Sequence, residues 1–264
     1  MKPKYLDREL ASEIRKRYEH LHKLEEPDIK DRCKQMVKRD IERNSQVHSY
    51  RMENPNIIIP FSVPRNKNKK TIRQGIKNIG NAFEWGTENF DPDNFDEYFI
   101  RELAVRITPE LYDTPIATYR DRNVVISGAS VTPPYPTKLV NYEIPKFVDS
   151  LKEQFQCHNL VNNVESAIYA HLHLAKIHPF LDGNGRTARV LQNIILHYND
   201  IPPPVIEAGE RMTYYKILDK AVLSMDEMKA AGKNGSITEE ESIFYDFIGG
   251  KINSSLDKIV MRCS

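Results

Sequence analysis

Cysteine is scarce in this chain, which disfavours both a disulfide-rich secreted domain and a structural zinc protein. The 264 residues include three cysteines, Cys33, Cys157 and Cys263. Secreted domains that depend on disulfides carry an even and denser set, so we predict no disulfide framework and a reducing, cytoplasmic location. No CxxC pair and no Cys/His spacing typical of a structural zinc site occurs in the sequence.

Long apolar segments are also lacking. The longest apolar runs, at residues 56–60 and 190–196, are far shorter than the roughly 20 residues that span a bilayer. Residues 1–25 are charged throughout and hold no apolar core of a secretion signal. We therefore expect no membrane partner and no signal of that type.

Neither sign of charge is in clear excess. Lys and Arg number 38 and Asp and Glu 37, which leaves a net charge of +1. The surface as a whole therefore has no attraction for DNA, and we expect no DNA partner. An anion site must be local and built from a few directed groups.

What is present is a helical pattern, which predicts a mainly α protein. In the first segment one helix face carries Leu6, Leu10, Ile14, Tyr18 and Leu21. Further helices are predicted over about 139–155, 161–177 and 185–199. Residues 55–95 are mixed, and their basic run 65–70 is expected to be a solvated loop. Residues 117–129 have two β-prone arms and predict a β-hairpin.

The most informative stretch is residues 178–189, HPFLDGNGRTAR. Pro179 ends the preceding helix and leaves His178 at its C-terminal edge. Gly183 and Gly185 allow a tight turn whose free N–H groups, together with the dipole of the next helix, form an anion nest. This short segment therefore predicts a phosphate site beside an imidazole.

Charged side chains complete that site. Arg186 and Arg189 share one helix face, so both guanidinium groups can reach the same anion. Asp182 adds a hard oxygen ligand suited to Mg²⁺, and His178 adds a base that titrates near neutral pH. Phosphoryl or nucleotidyl transfer needs this combination of base, metal ligand and phosphate donors.

The same stretch matches the signature HxFx(D/E)GNGRxxR at every fixed position, and so the chain resembles the Fic family. The resemblance implies a Fic fold, a helical bundle core with a β-hairpin flap. It implies a protein adenylyltransferase that moves AMP from ATP to a Tyr, Ser or Thr hydroxyl of a target protein or of itself. Pyrophosphate is released.

The resemblance also assigns roles to residues. His178 is implied as the base that deprotonates the target hydroxyl, Asp182 as the ligand of Mg²⁺ (or Mn²⁺), and Phe180 as an anchor of the loop. The implied nucleotide-binding residues are Gly183, Asn184, Gly185, Arg186, Arg189, Tyr214 and Tyr215. Tyr214 and Tyr215 can equally be core residues. Val222 stands near the place where some relatives have an asparagine, so transfer of UMP stays open.

The predicted hairpin resembles the flap with which Fic proteins hold their targets. Val124, Val125 and Ile126 would pair with the target's backbone as an added strand. An ordinary structural hairpin is the alternative.

Residues 49–54, SYRMEN, match the inhibitory motif (S/T)xxxE(G/N) of the family. The resemblance implies an inhibitory helix over about 44–54, with Ser49, Glu53 and Asn54 as regulatory residues. Glu53 would pair bidentately with Arg189 and occupy the fork that the γ-phosphate needs. In some relatives this glutamate instead directs a water that removes AMP, so a predominantly deAMPylating enzyme is a second reading.

We predict three regions: an N-terminal helical region 1–95, a Fic core 96–235 and a C-terminal helix 236–264. Two other classes fit some of these residues, namely a nucleotide-binding scaffold without activity and a metallohydrolase that uses His171, His173 and His178. His171 and His173 point about 200° apart on a helix, which disfavours a shared metal. A homo-oligomer is left open.

Overall fold

The computed structural model describes residues 4–23, 29–53, 67–233 and 237–263. The α-helices are α1 Arg8–Lys23, α2 Ile29–Glu53, α3 Lys67–Asn89, α4 Glu97–Ile107, α5 Pro136–Lys138, α6 Ile144–Phe155, α7 Leu160–Ile177, α8 Asn184–Tyr198, α9 Arg211–Ala230 and α10 Glu239–Cys263. A π-helical turn, Leu139–Glu143, joins α5 to α6. The prediction of a mainly α fold is confirmed. Within the described ranges, no helix has the length and apolar character that crossing a bilayer requires.

Helices α7 and α8 form the centre of the fold. Both are buried along most of their length, and even polar side chains such as His171, Thr187 and Gln192 are enclosed. The two helices pack on each other, while α3, α4, α6 and α10 pack around them. The loop that joins α7 to α8 therefore starts and ends on the best-packed part of the molecule.

The N-terminal region is more regular than the sequence pattern indicates. The inhibitory segment predicted over about 44–54 is the end of one long helix, α2, which packs against α3, α8 and α10. Helix α3 begins at Lys67, so the expectation of a loop over 65–70 is wrong from that residue onward. Asn54 lies outside the described residues.

The predicted β-hairpin over 117–129 is not seen, and this part of the prediction is wrong. The segment is extended and contains a turn closed by the Ala129 N–H and the Ile126 carbonyl, but no β-ladder forms within 117–129. Its polar groups are bonded elsewhere instead. The Arg120 N–H donates to the Pro179 carbonyl, and Ser130 bonds the Asp219 carboxylate.

The structure also contradicts the expectation of a chain without disulfides. Cys33 near the start of α2 and Cys263 at the end of α10 are disulfide-bonded, with their Cα atoms 5.8 Å apart. They are 230 residues apart in sequence and meet because α2 packs on α10. A count of cysteines cannot reveal such a pairing. Cys157 is a free thiol.

The disulfide gives a test of stability. We expect Cys33→Ser to lower the free energy of unfolding by about 2–4 kcal/mol, because a cross-link that closes a long loop restricts the unfolded chain. Denaturant unfolding without reductant measures the change. Cys157→Ser is the control and should leave the midpoint nearly unchanged. Equal midpoints for all three proteins would show that the cross-link does not contribute.

Candidate active site

His178 ends helix α7 in the left-handed conformation, with φ of 51°. Its backbone N–H donates to the Leu174 carbonyl at 3.0 Å, and its ring Nδ1 lies 3.3 Å from the Ala175 carbonyl oxygen. Burial lowers the pKa of His178, and the nearby charge of Arg120 acts in the same direction. A neutral ring that donates Nδ1–H to Ala175 leaves Nε2 with a free lone pair, which is the state a general base needs.

The loop after His178 is held by one side chain. The Asn184 amide donates to the Phe180 carbonyl and accepts from the Phe180 N–H, both at 2.8 Å. The Phe180 ring itself is fully buried. Gly183 precedes α8 with φ of 80°, a conformation that favours glycine, and a Cβ there would come within 3.0 Å of Thr108. The turn is thus fixed at both ends before any ligand binds.

Helix α8 opens directly onto this loop. The Thr187 N–H is bonded to the Gly183 carbonyl, so the N–H groups of Asn184, Gly185 and Arg186 precede the first hydrogen bond of the helix. Free N–H groups at a helix N-terminus attract anions.

Asp182 lies at the edge of this turn with its side chain 69% exposed. One carboxylate oxygen accepts from the Gly183 N–H at 2.6 Å, and the other lies 3.2 Å from Arg186 Nη2. A single exposed carboxylate beside a phosphate site fits Mg²⁺, which keeps several waters and takes the rest of its ligands from phosphates. Among the described side chains no three acidic, His or Cys groups gather to hold a metal on their own.

Each of the two arginines carries one buried donor without a hydrogen-bond partner among the described residues. These donors are Arg189 Nη1 and Arg186 Nε. A buried donor without a partner lowers the free energy of unfolding by about 1–3 kcal/mol, and by more when it is charged. Both donors belong to α8, whose N-terminus forms the predicted anion nest. The structure therefore leaves two cationic donors for a ligand with several anionic oxygens.

The rest of the Arg189 guanidinium is bonded to the end of α2. Nε donates to the Ser49 hydroxyl at 2.8 Å, and Nη2 donates to the Ser49 carbonyl at 3.1 Å and to Glu53 Oε1 at 2.7 Å. The predicted contact with Glu53 exists, but it is not bidentate, because Ser49 occupies Nε and shares Nη2. Ser49 thus takes part in the contact as directly as Glu53 does.

Glu53 is held charged in this position. Burial raises the pKa of the carboxyl, but the charge and hydrogen bond of Arg189, with a further contribution from Arg186, outweigh burial and lower it. Its Oε1 atom lies 2.5 Å from the place where a Cβ on Gly185 would stand. The carboxylate therefore occupies space that only a glycine at position 185 leaves open, at the mouth of the anion nest.

Arg211 is a residue of this site that the sequence motifs do not reveal. Its Nε donates to the Met52 carbonyl at 2.6 Å, which closes the last turn of α2 directly before Glu53. Its guanidinium also lies 4.9 Å from the centre of the Tyr215 ring. No spacing in the sequence relates Arg211 to the inhibitory motif, since the contact depends on how α9 meets α2.

Tyr214 and Tyr215 have different surroundings. Tyr214 is 1% exposed, and its hydroxyl lies 2.8 Å from His171 Nε2, so its side chain belongs to the core. Tyr215 is only partly buried and packs edge-on against Tyr214. A contact of either ring with a nucleotide stays a prediction. His171 is also bonded to Gln192, and His173 stacks on Tyr169, so neither is arranged with His178 as a metal site.

The predicted target-docking residues lie on the extended segment. Val125 is 85% exposed, while Val124 and Ile126 are half-buried. Their backbone lacks a partner strand within this described segment, so an edge is free to receive an extended peptide.

Known proteins resemble the part of the chain that contains His178 and the loop after it. The sequence profile of the Fic/DOC family matches residues 94–196. A "protein adenylyltransferase Fic" from Nematostella vectensis is 34% identical over 122 residues, which cover 46% of this chain and 27% of that protein. The chain therefore matches about a quarter of the length of this relative.

Solved structures extend the likeness in fold to nearly the whole chain. A Fic domain-containing signalling protein from Bacteroides thetaiotaomicron has a TM-score of 0.77 at 20% identity, covering 96% of each chain. A variant of IbpAFic2 in complex with adenylylated Cdc42 has a TM-score of 0.53 at 15% identity, covering 94% of this chain and 70% of that one. Residues 94–196 thus match the Fic/DOC family, and nearly the whole chain shares its fold with solved Fic domain-containing proteins.

Proposed function

We propose that this protein is an adenylyltransferase that moves AMP from ATP to a hydroxyl group of a target protein. The observation that carries the proposal is the pair of buried donors on Arg186 and Arg189 at the start of α8, which have no partner in the described part of the chain. Two guanidinium groups and a helix N-terminus together suit a polyphosphate better than a single carboxylate or sulfate.

The residues around that site support a transfer step rather than binding alone. His178 is held neutral next to the phosphate site and can accept the proton of a target hydroxyl. The hydroxyl oxygen forms a bond to the α-phosphorus, the bond from that phosphorus to the bridging oxygen of the β-phosphate breaks, and pyrophosphate leaves. Asp182 would hold Mg²⁺, which supplies charge neutralisation on the phosphates when bound.

A protein target is favoured by the exposed extended segment. Val125 is exposed on an extended segment, and a target segment can add beside it as a strand. IbpAFic2, which shares the fold, is known in complex with adenylylated Cdc42. By analogy the substrate here is a protein with a hydroxyl side chain in an extended loop, and the protein itself is an additional target.

The end of α2 supports a built-in inhibitor. Glu53 and Ser49 occupy three of the donor directions of Arg189, so the γ-phosphate of ATP cannot use them while α2 is in place. ATP bound with its phosphates displaced would lose the in-line geometry of attack. The enzyme is therefore proposed to be autoinhibited, with Glu53 as the inhibitory group.

Removal of AMP from a modified target is a second activity that one observation favours. The lowered pKa keeps the Glu53 carboxylate charged beside the phosphate site, where it can accept a proton from an attacking water. The same residue would then block one direction of the reaction and promote the other.

Labelled ATP tests the proposal. The protein and its Glu53→Gln variant are incubated with Mg²⁺ and ATP labelled at either the α- or the γ-phosphate, with and without a cell lysate. AMP transfer incorporates only the α-label, phosphate transfer only the γ-label, and a binding scaffold neither. Mass spectrometry of the labelled protein identifies the modified residue. Incorporation of γ-label, or of no label by either protein, would contradict the proposal.

A further inference from the structure

We propose that Arg120 is a positioning residue of this reaction, whose guanidinium joins the backbone of the base His178 to the extended flap segment and to the chain that follows it. The inference rests on the proposed function, since it concerns how that function aligns base and target. Neither the signature 178–189 nor the inhibitory motif contains Arg120.

The hydrogen bonds of Arg120 join parts of the chain that are distant in sequence. Nε donates to the His178 carbonyl at 2.8 Å, Nη1 donates to the Arg122 carbonyl at 3.0 Å, and Nη2 donates to the Pro134 carbonyl. The backbone N–H of Arg120 adds a bond to the Pro179 carbonyl at 2.9 Å. One residue therefore contacts the active-site loop twice, the flap segment at Arg122, and the chain that follows the segment at Pro134.

The flap segment is held by individual contacts, which include those of Arg101 with Ala117 and of Tyr119 with Glu97. Its residues 117–129 form no β-ladder, so its placement relative to His178 depends on individual contacts. Ser130, directly after the segment, bonds Asp219. The Tyr119 ring packs against Phe180 of the active-site loop, and the bonds of Arg120 add a hydrogen-bonded link from the segment to the backbone of His178.

The backbone of His178 also needs support. A φ of 51° is uncommon for a residue with a side chain, and it directs both the ring and the carbonyl of His178. The Arg120 Nε bond fixes that carbonyl, while the Ala175 carbonyl receives ring Nδ1. Loss of the guanidinium would free the peptide unit that orients the base.

The positive charge of Arg120 is unusual for a purely structural contact. The side chain is 2% exposed, and none of the ion pairs among the described residues includes it. Its side chain donates to three carbonyl oxygens, and burying a charge without a counter-ion lowers the stability of the fold. Burial is the largest cause of the lowered pKa of His178, and the charge of Arg120 adds to it, while the Ala175 hydrogen bond, Glu53 and Asp182 act in the opposite direction.

Three variants test the inference. Arg120→Met removes the charge and the hydrogen bonds, Arg120→Lys keeps the charge but loses the planar fork, and Arg122→Met is the control on the same segment. The Arg122 side chain is 69% exposed, and only its carbonyl contacts Arg120. Circular dichroism establishes that each variant is folded. If Arg120→Met does not fold, the conservative variant Arg120→Lys is used for the test instead.

In the Glu53→Gly background we expect Arg120→Met to lower the kcat of AMP transfer by roughly 100-fold, with little change in the Kd of ATP. The acidic limb of its pH–rate profile should move to higher pH, because the imidazolium is no longer disfavoured by a neighbouring cation. Arg120→Lys should lower kcat but leave the limb in place. Arg122→Met should change neither by more than about twofold.

A kcat for Arg120→Met within twofold of the parent, or a loss confined to the Kd of ATP, would overturn the inference. NMR titration of the His178 ring gives a readout that does not require activity. If the parent protein transfers no AMP, the proposed function fails, and the titration still decides whether Arg120 controls the base. An unchanged His178 pKa in Arg120→Met would then count against the inference.

Discussion

His178→Ala is expected to lower AMP incorporation by a factor of about 10²–10⁴, the usual contribution of a general base. The imidazole is the titratable group that the structure holds neutral at the phosphate site, and alanine cannot accept the proton of the target hydroxyl. The measurement is α-labelled ATP incorporation in the Glu53→Gly background, where a high parent rate makes the loss visible.

Two controls separate this effect from a loss of folding or binding. His158 is an exposed histidine outside the site, and His158→Ala should keep the parent rate. The Kd of ATP for His178→Ala should also be unchanged, because the phosphates are expected to contact α8 and its arginines. A His178→Ala protein that transfers AMP at the parent rate would show that another group serves as base.

Glu53→Gly is expected to raise AMP incorporation by roughly 10-fold to 100-fold. The change removes a charged hydrogen bond to Arg189, and such bonds contribute about 1.5–3 kcal/mol, which this range of rates corresponds to. Arg189 then offers Nη2 as well as Nη1 to the triphosphate. Initial rates with α-labelled ATP measure the effect.

Asp40→Ala is the matched control, since Asp40 is an exposed acidic residue on the same helix. It should leave the rate at the parent value. Glu53→Gln should give an intermediate increase, because the amide keeps the size of the side chain but not its charge. Equal rates for the parent and Glu53→Gly would remove the basis for autoinhibition.

The inhibitory contact should persist through the neutral pH range. The pKa of Glu53 is lowered in the folded protein, so the stability that its ion pair contributes is present above the unfolded pKa and is lost as pH falls through the folded pKa. The ratio of the Glu53→Gly rate to the parent rate should therefore stay constant across the neutral range.

The chemistry of the loop could be predicted from the sequence because it is local. Gly183, Arg186 and Arg189 lie within two turns of each other, so helix geometry alone decides which groups share a face. The contact of Glu53 with Arg189 spans 136 residues and was predicted only through the resemblance to the family. The geometry of this contact, in which Ser49 accepts two of the hydrogen bonds of the Arg189 guanidinium, was not predicted.

Other features required the assembled structure. The flap segment has the residues of a hairpin, yet its polar groups bond the active-site loop and α9, because those contacts are available in the packed protein. Arg120 and Arg211 act through carbonyl groups of residues far away, and carbonyl positions leave no trace in a sequence. The disulfide of Cys33 and Cys263 depends on the packing of α2 against α10.

The sequence by itself determined the helical class, the turn between α7 and α8, and the base, carboxylate and arginines that this turn brings together. Short-range geometry is sufficient there, since backbone torsions and helix period relate neighbours directly. Only the tertiary structure decided what surrounds those groups: which helix end meets Arg189, which cation lies beside His178, and how the flap segment is held. Those contacts join segments whose distance in sequence carries no information about their distance in space.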